Sequence, residues 1–286
     1  MSFFKNIKTE NIELKLSFLK DDGFEIFMKR EDLIHPIISG NKFRKLKYNI
    51  EKFKKNKNST LITFGGAYSN HLLAVSYIAK IENINTIAFV RGDELGVLPL
   101  NSTLQRCFDN GMKFKFISRE KYRFRNDGNF LKNLSSKYNN AFIIPEGGTN
   151  DLGILGCEEI LTLRDKNFFD VICVPVGSGG TFSGLINSSL KKQKILGFSA
   201  LKNSNIINVI NKFVNKNNWE LIDEDLFGGY AKSNQNLIHF INKFYNDSNI
   251  KLDPIYNSKM IFKILEIIKQ NKWIYGKKIL IVNTGG

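Results

Sequence analysis

The chain is poor in the residues that build disulfide scaffolds and metal sites. It contains three cysteines, three histidines and five prolines in 286 residues. Cys107, Cys157 and Cys173 form no CxxC pair, which favours a reducing compartment, the cytoplasm, and a structural role for all three. The histidines are scattered without the spacing of metal ligands, so we expect no metal site.

Long hydrophobic runs are also lacking. The longest uncharged apolar stretches, such as 171–176, fall far short of the roughly 20 residues that a membrane-spanning helix needs. Charged residues interrupt positions 1–22, which leaves no hydrophobic segment for a secretory signal. We therefore expect no membrane segment and no export. The length favours two lobes over a single core.

Acidic residues are few beside basic ones, with 27 Asp and Glu against 42 Lys and Arg and a net charge of +15. This positive net charge is compatible with binding to a nucleic acid or another anionic partner. The lysines are spread along the chain rather than gathered into one basic tract, which favours an ordinary solvated surface. We expect no nucleic-acid partner, and a non-catalytic basic module that binds an anion or nucleic acid stays an alternative.

Apolar stretches of strand length recur between helical patterns and Gly-rich turns. This alternation predicts βαβ units and an α/β fold with a parallel sheet. The predicted strands cover 60–64, 86–90, 113–117, 141–144, 171–176 and 194–198. The predicted helices cover 43–54, 69–81, 100–110, 156–164 and 182–191.

A glycine-rich turn, Gly177 to Thr181, follows the predicted strand 171–176 and precedes a helix. Backbone N–H groups at such a helix start favour a phosphate or another anion. The fingerprints of nucleotide sites do not fit: Gly184 is followed by leucine where a P-loop has lysine, and the third glycine of a dinucleotide site falls on Phe182. A turn that serves packing alone stays open.

Two more turns carry polar groups at expected helix starts. Lys42 follows a Gly-Asn turn, and the helix dipole opposes a cation there unless the amine is neutral or covalently engaged. The alternative is a solvated lysine. Ser69, Asn70 and His71 follow the strand 60–64 at its carboxyl edge, where α/β sheets build ligand sites. The alternative is that Ser69 or Asn70 only caps a helix.

Taken in order, these segments resemble pyridoxal-phosphate enzymes of the tryptophan-synthase-β-like fold, fold type II. The similarity is to the 1-aminocyclopropane-1-carboxylate deaminase and D-cysteine desulfhydrase family, and it spans nearly the whole chain. It rests on residues 29–32, 40–45, 65–71, 145–150, 177–181, 253–256 and 283–286. It implies a homodimer of two-lobed α/β subunits with parallel-rich sheets flanked by helices. The large cofactor domain would comprise 1–48 and 163–286, and the small domain 49–162.

The resemblance also implies a role for each site residue. Lys42 would form the internal aldimine with pyridoxal 5'-phosphate, Asn70 would bond the ring hydroxyl, and Thr284 would face the pyridine nitrogen. The phosphate would be cradled by Gly177, Ser178, Gly179, Gly180 and Thr181. Ser69 would contact the substrate carboxylate, and Tyr230 and Tyr256 would place hydroxyls near the leaving group or Cα.

The position after Tyr256 bears on the substrate. It holds Asn257, whereas the cyclopropane deaminases typically carry a glutamate there. The resemblance thus favours α,β-elimination from D-cysteine, giving pyruvate, ammonia and hydrogen sulfide. The alternative is deamination of 1-aminocyclopropane-1-carboxylate to 2-oxobutanoate and ammonia. A hydroxyl at Thr284 cannot keep the pyridine nitrogen protonated as a carboxylate would, which favours elimination over transamination.

Overall fold

The structure, a computed structural model, describes residues 4, 7, 9–17, 23–38, 40–139, 141–200, 205–223 and 234–285. The chain divides into two compact units. Unit 1 takes the described residues within Met1–Ile34, Ser39–Asn41 and Cys157–Gly286, and unit 2 takes His35–Ile38 and Lys42–Gly156. The predicted domain boundaries, after residues 48 and 162, stay a prediction.

Unit 1 contains a six-stranded sheet in the order β1-β2-β10-β7-β8-β9. Its strands are β1 (Asn11–Glu13), β2 (Glu25–Lys29), β7 (Val171–Val176), β8 (Lys194–Ser199), β9 (Trp219–Ile222) and β10 (Lys278–Val282). The pairs are parallel except for β1 with β2.

Unit 2 contains a four-stranded sheet in the order β5-β4-β3-β6. Its strands are β3 (Thr60–Gly65), β4 (Asn85–Arg91), β5 (Lys113–Ile117) and β6 (Phe142–Ile144), and every pair is parallel. The carboxyl ends of all four strands therefore lie at one edge, where ligand sites form in such sheets.

Helices connect the strands. In chain order they are α1 (Asn41–Lys55), α2 (Asn70–Ile81), α3 (Ser102–Asp109), α4 (Arg119–Tyr122), α5 (Gly128–Lys137), α6 (Asp151–Glu158), α7 (Leu163–Phe168), α8 (Gly180–Ser188), α9 (Ile206–Asn211), α10 (Gln235–Ser248) and α11 (Asn257–Lys269). No helix in the described part of the chain is long and apolar enough to cross a lipid bilayer.

The central strand β7 shows how unit 1 builds its core. All of its residues are buried, as expected for a parallel strand covered on both faces. Val171 and Cys173 pack in one cluster, with apolar residues of α10 and α11. Ile172 and Val174 pack in another, with residues of α8 and α9. The alternation of the two sets follows from the two-residue period of a strand.

The predicted α/β fold is confirmed, and each predicted strand is present with bounds shifted by at most one residue at either end. The predicted helix 156–164 is wrong. The structure ends α6 at Glu158 and begins α7 at Leu163. The reason is a capping box, in which the Thr162 hydroxyl accepts from the Asp165 N–H and the Asp165 carboxylate accepts from the Thr162 N–H. A residue that caps a new helix has extended backbone, so one helix cannot run through it.

Candidate functional site

The turn after β7 is shaped for an anion. Gly179 precedes α8 with φ +85°, a left-handed conformation that favours glycine, and as the N-cap residue it has no side chain that could cap the helix. The first N–H groups of α8 point out of the start of the helix together with the positive end of its dipole, an arrangement that suits an anion. Gly177 lies against the ring of Tyr256: a Cβ on that glycine would meet Tyr256 Cε1 at 3.4 Å. Two of the predicted site segments thus come together in unit 1.

Asn41, the residue before Lys42, joins two others. Its Nδ2 donates to Thr181 Oγ1 at 2.8 Å, and its backbone N–H donates to the Thr284 carbonyl at 3.2 Å. The neighbouring Gly40 has φ +57°, and a Cβ there would lie 1.8 Å from the Thr284 oxygen. Only glycine permits this approach. Because Thr181 accepts from Asn41, its own hydroxyl proton remains to be donated.

Lys42 lies in the first turn of α1, as predicted, and is half-buried. That turn contains no acidic residue. A cation at this position is opposed by the helix dipole, whereas a neutral or covalently linked amine is not. The position therefore suits a lysine that binds a cofactor through its amine.

Ser69 and Asn70 begin α2, at the carboxyl end of β3. Ser69 is the N-cap, and its Oγ accepts from the Leu72 N–H at 3.3 Å. The capping role considered from the sequence is therefore present. It uses the oxygen as an acceptor and leaves the hydroxyl proton for a ligand. Asn70 is exposed at the first position of the helix, where its amide is accessible.

His71, the next residue, is 2% exposed. The Thr63 hydroxyl donates to the Ile144 carbonyl at 2.9 Å and lies 2.8 Å from His71 Nε2. Since the one hydroxyl proton is used, Nε2 must donate, and this assigns the tautomer. His71 Nδ1 has no hydrogen-bond partner among the described residues. Burial, followed by the charges of Lys42 and Lys45, holds the pKa of His71 well below 6.5, so the imidazole is neutral.

Lys45 lies one helical turn after Lys42 and anchors another predicted segment. It is 2% exposed, and its Nζ donates to the Gly147 carbonyl at 2.9 Å and lies 3.3 Å from Thr149 Oγ1. Asn49, one turn further on, exchanges two amide hydrogen bonds with Asn150 at 3.1 and 2.8 Å. The helix that carries Lys42 is thus fixed to segment 145–150 within unit 2.

The carboxyl-terminal segment is held by α11. Thr284 is 6% exposed, and its N–H donates to Asn257 Oδ1 at 3.2 Å. The Asp253 carboxylate accepts from the backbone N–H groups of residues 255, 256 and 257, so it caps the start of α11. Tyr256 immediately precedes the helix. Tyr230 lies outside the described residues.

The sequence predicts Lys42, Ser69 and Thr181 among the site residues, but it does not reveal the residues that hold them in place. In the sequence, Asn41 is visible only as part of a turn, and no local pattern indicates a role for Lys45 or Asp253. All belong to segments that carried the resemblance. One feature of the sequence could have identified these holding residues. Each is a polar residue close in sequence to a predicted site residue, and no helix-capping pattern explains its presence.

Unit 1 contributes a helix start that suits an anion, and unit 2 contributes a lysine in the first turn of α1 and a hydroxyl at the start of α2. These are groups that an enzyme with a phosphorylated cofactor requires. The family model described as pyridoxal-phosphate dependent enzyme matches residues 8–285. The chain belongs to this family, and its cofactor is pyridoxal phosphate, as predicted. The donor set fits that group: backbone N–H groups for a phosphate and an amine for its aldehyde.

Two relatives cover most of the chain. A Thermotoga maritima protein with the provisional name 1-aminocyclopropane-1-carboxylate deaminase is 31% identical, over 92% of this chain and 89% of its own. A mitochondrial protein of Arabidopsis thaliana, named bifunctional D-cysteine desulfhydrase/1-aminocyclopropane-1-carboxylate deaminase, is 30% identical, over 93% of this chain and 73% of its own.

A solved structure, described as a homologue of 1-aminocyclopropane-1-carboxylate deaminase, superimposes with a TM-score of 0.80. It is 24% identical and covers 98% of this chain and 90% of its own. A hydrogen sulfide-producing enzyme from Fusobacterium nucleatum gives a TM-score of 0.72 at 16% identity, covering 99% of this chain and 97% of its own. These two likenesses show the fold, which is that of fold type II enzymes.

Proposed function

We propose that the protein catalyses α,β-elimination from D-cysteine. Water is consumed, and pyruvate, ammonia and hydrogen sulfide are released. The observation that carries the proposal is the convergence on Asn41: the residue next to Lys42 bonds both Thr181 of the anion-binding turn and the backbone of Thr284. The name of the Arabidopsis relative, which includes D-cysteine desulfhydrase, supports the substrate.

The binding roles follow from the local geometry. The N–H groups at the start of α8, with the Thr181 hydroxyl, would bind the cofactor phosphate, and Lys42 would bind the cofactor covalently. Asn70 would bond the ring hydroxyl and Thr284 the pyridine nitrogen. Ser69, whose hydroxyl proton is not used in capping, would donate to the substrate carboxylate.

Bound pyridoxal phosphate supplies an electron sink for the charge that develops at the substrate Cα. The Lys42 amine would accept the Cα proton, since a neutral amine in an opposing dipole is a suitable base. The Tyr256 hydroxyl would deliver a proton to the departing sulfur, and Tyr230 is proposed for the same region.

Deamination of 1-aminocyclopropane-1-carboxylate is the second candidate, favoured by the names of both relatives. Against it stands Asn257, whose amide bonds to Asp253 and to the Thr284 N–H and which brings no acidic group. The family membership argues against the non-catalytic alternative. The homodimer and the cytoplasmic location remain proposals, drawn from the resemblance and from the cysteine pattern.

The test is product release by the cofactor-loaded protein with D-cysteine, L-cysteine and 1-aminocyclopropane-1-carboxylate in parallel. We expect sulfide and pyruvate from D-cysteine and little from the other two. Lys42→Ala should abolish release, whereas Lys191→Ala, at an exposed lysine after α8, should leave it unchanged. If the protein releases 2-oxobutanoate from 1-aminocyclopropane-1-carboxylate and no sulfide from D-cysteine, the deaminase activity is established instead.

A further inference from the structure

Asn257 opens α11 and is 1% exposed. Both ends of its side-chain amide are engaged. Nδ2 donates to Asp253 Oδ2 at 2.6 Å and to the Gly285 carbonyl at 3.3 Å. Oδ1 accepts the Thr284 N–H at 3.2 Å. Asn257 therefore bridges α11 and the carboxyl-terminal segment.

Asp253 sets the orientation of this amide. An ionised carboxylate only accepts hydrogen bonds, so the Asn257 NH₂ group must face it. The amide oxygen is then directed to the Thr284 N–H. A flipped amide would set its oxygen against the carboxylate and its NH₂ against an N–H, losing both bonds. Because Asp253 also accepts from three backbone N–H groups at the start of α11, it is itself held in place.

The Thr284 peptide is consequently held from two sides. Asn257 accepts from its N–H, and the N–H of Asn41 donates to its carbonyl at 3.2 Å. The next N–H, that of Gly285, donates to Asn283 Oδ1 at 3.1 Å. With both peptide groups fixed, the Cα of Thr284 has little freedom, and the position of its side chain is defined.

We propose that Asn257 is a positioning residue, which together with Asp253 holds Thr284 where its hydroxyl meets the pyridine nitrogen of the cofactor. This inference rests on the proposed function for the role of Thr284. Asn257 acts through Thr284 and supplies no proton, since every hydrogen-bonding group of its amide is committed. Removing it leaves the buried Thr284 N–H without an acceptor and lets the segment move.

The first measurement uses the full-length, cofactor-free protein. Hydrogen exchange of the Thr284 amide, followed in the carboxyl-terminal peptide, should be slow in the wild type and faster in Asn257→Ala. The matched control is Asn234→Ala, which removes the cap of α10, where Asn234 Oδ1 accepts from the Leu237 N–H. The control should lower the melting temperature without accelerating exchange at Thr284. Equal protection in Asn257→Ala and the wild type would overturn the proposal.

A second pair of variants separates positioning from a general loss of packing. Asn257→Asp sets a carboxylate against Asp253 and should accelerate exchange. Adding Asp253→Asn removes the like charges and restores a donor facing an acceptor, although it gives up the bond from the backbone N–H of residue 257 to Oδ2. The double variant should therefore recover part of the protection that Asn257→Asp loses. No recovery would contradict the proposed role of Asp253.

The cofactor gives the third readout. Cofactor-free protein is titrated with pyridoxal phosphate. The dissociation constant should be about tenfold higher for Asn257→Ala than for the wild type, because one buried donor is left unsatisfied in the variant. The pH dependence of the bound cofactor's absorbance should change as well. If the wild type binds no pyridoxal phosphate, the proposed function fails. If the wild type binds it and Asn257→Ala binds equally well with an unchanged spectrum, only the present inference fails.

Discussion

A buried ion pair shows how single residues set the stability of unit 1. Lys29 Nζ lies 2.8 Å from Asp165 Oδ2, and both side chains are 1% exposed. Asp165 also accepts from Asn11 Nδ2 at 2.6 Å and from the Thr162 N–H at 2.8 Å. Burial alone would raise the pKa of Asp165, but the hydrogen bond and charge of Lys29 outweigh it and hold this pKa below its usual value of 3.8.

Because of this ion pair, we expect Asp165→Asn to lower the free energy of unfolding. The variant leaves the Lys29 ammonium buried without a counter-charge, which costs about 3–5 kcal/mol of unfolding free energy. Urea unfolding at neutral pH measures the loss. The control is Glu94→Gln, which breaks the exposed pair with Arg119 and should leave the midpoint nearly unchanged. Equal small effects of both changes would contradict the assigned role of the buried pair.

Asp165 should also make the stability of the protein depend on pH in the acid range. Because the folded-state pKa of Asp165 is depressed, its stabilising contribution is complete above the unfolded value of 3.8 and is lost as the pH falls through the folded pKa. The wild type should therefore lose stability steeply below about pH 4. Asp165→Asn, already destabilised, should show a shallower loss there, as measured by melting temperature against pH. A slope as steep as in the wild type would exclude Asp165 as a source.

Among the elements, the start of α1 depends on the close approach of Gly40 to Thr284. Gly40→Ala combines a positive φ with a Cβ 1.8 Å from a backbone oxygen, so the turn before Lys42 must move. Gly111→Ala is the matched control, because Gly111 has φ +90° and nothing within 4 Å of its Cβ position. We expect Gly111→Ala to cost about 1 kcal/mol from backbone strain alone.

Gly40→Ala should cost more than this control and should also weaken pyridoxal-phosphate binding. Melting temperature and cofactor titration measure the two effects. If Gly40→Ala binds the cofactor as tightly as the wild type, the contact of Gly40 with Thr284 does not position Lys42.

The elements that the sequence predicted are those with a strong local pattern. Strand 171–176 is apolar throughout and is present with the predicted bounds. Strand β10, which pairs with β7 at the centre of the sheet, is not among the predicted strands, although four of the five residues in its sequence KILIV are apolar and buried. The edge strands β1 and β9 have no clear alternation, and pairing with a neighbour over long sequence separation defines them.

The candidate site was predictable to a similar degree. The motif order predicts which residues face a ligand, because turns rich in glycine, serine and asparagine are visible locally, and those roles stay predictions. The bridging contacts were not predictable, since Asn41 and Thr181 lie 140 residues apart in the chain and meet only through the fold. The capping of α2 by Ser69, an alternative that the sequence leaves open, is present in the structure, and the ligand role of Ser69 stays a prediction.

At the scale of the whole molecule, the stability should fall on mild acidification because of His71. Burial, with the charges of Lys42 and Lys45, keeps the folded-state pKa of His71 well below 6.5. Below the unfolded value the unfolded chain takes up a proton that the folded chain does not, so the free energy of unfolding decreases from about pH 6.5 downward.

The test compares urea unfolding at about pH 7.5 and about pH 5.5, on either side of the unfolded pKa. The wild type should be less stable at the lower pH. His71→Gln retains a donor for Thr63 and cannot titrate, so its loss should be smaller. His239→Gln, at an exposed histidine of α10, should retain the full loss. Identical pH dependence in all three proteins would rule out His71 as the titrating group.

The central claim is that Lys42 is the lysine that binds pyridoxal phosphate, and borohydride reduction followed by peptide mass spectrometry tests it most directly. Reduction fixes the cofactor on the lysine that holds it. We predict one reduced pyridoxyl phosphate on Lys42 and none on Lys45, whose Nζ donates to the Gly147 carbonyl. Labelling of Lys45, or of surface lysines with no preference for Lys42, would contradict the account.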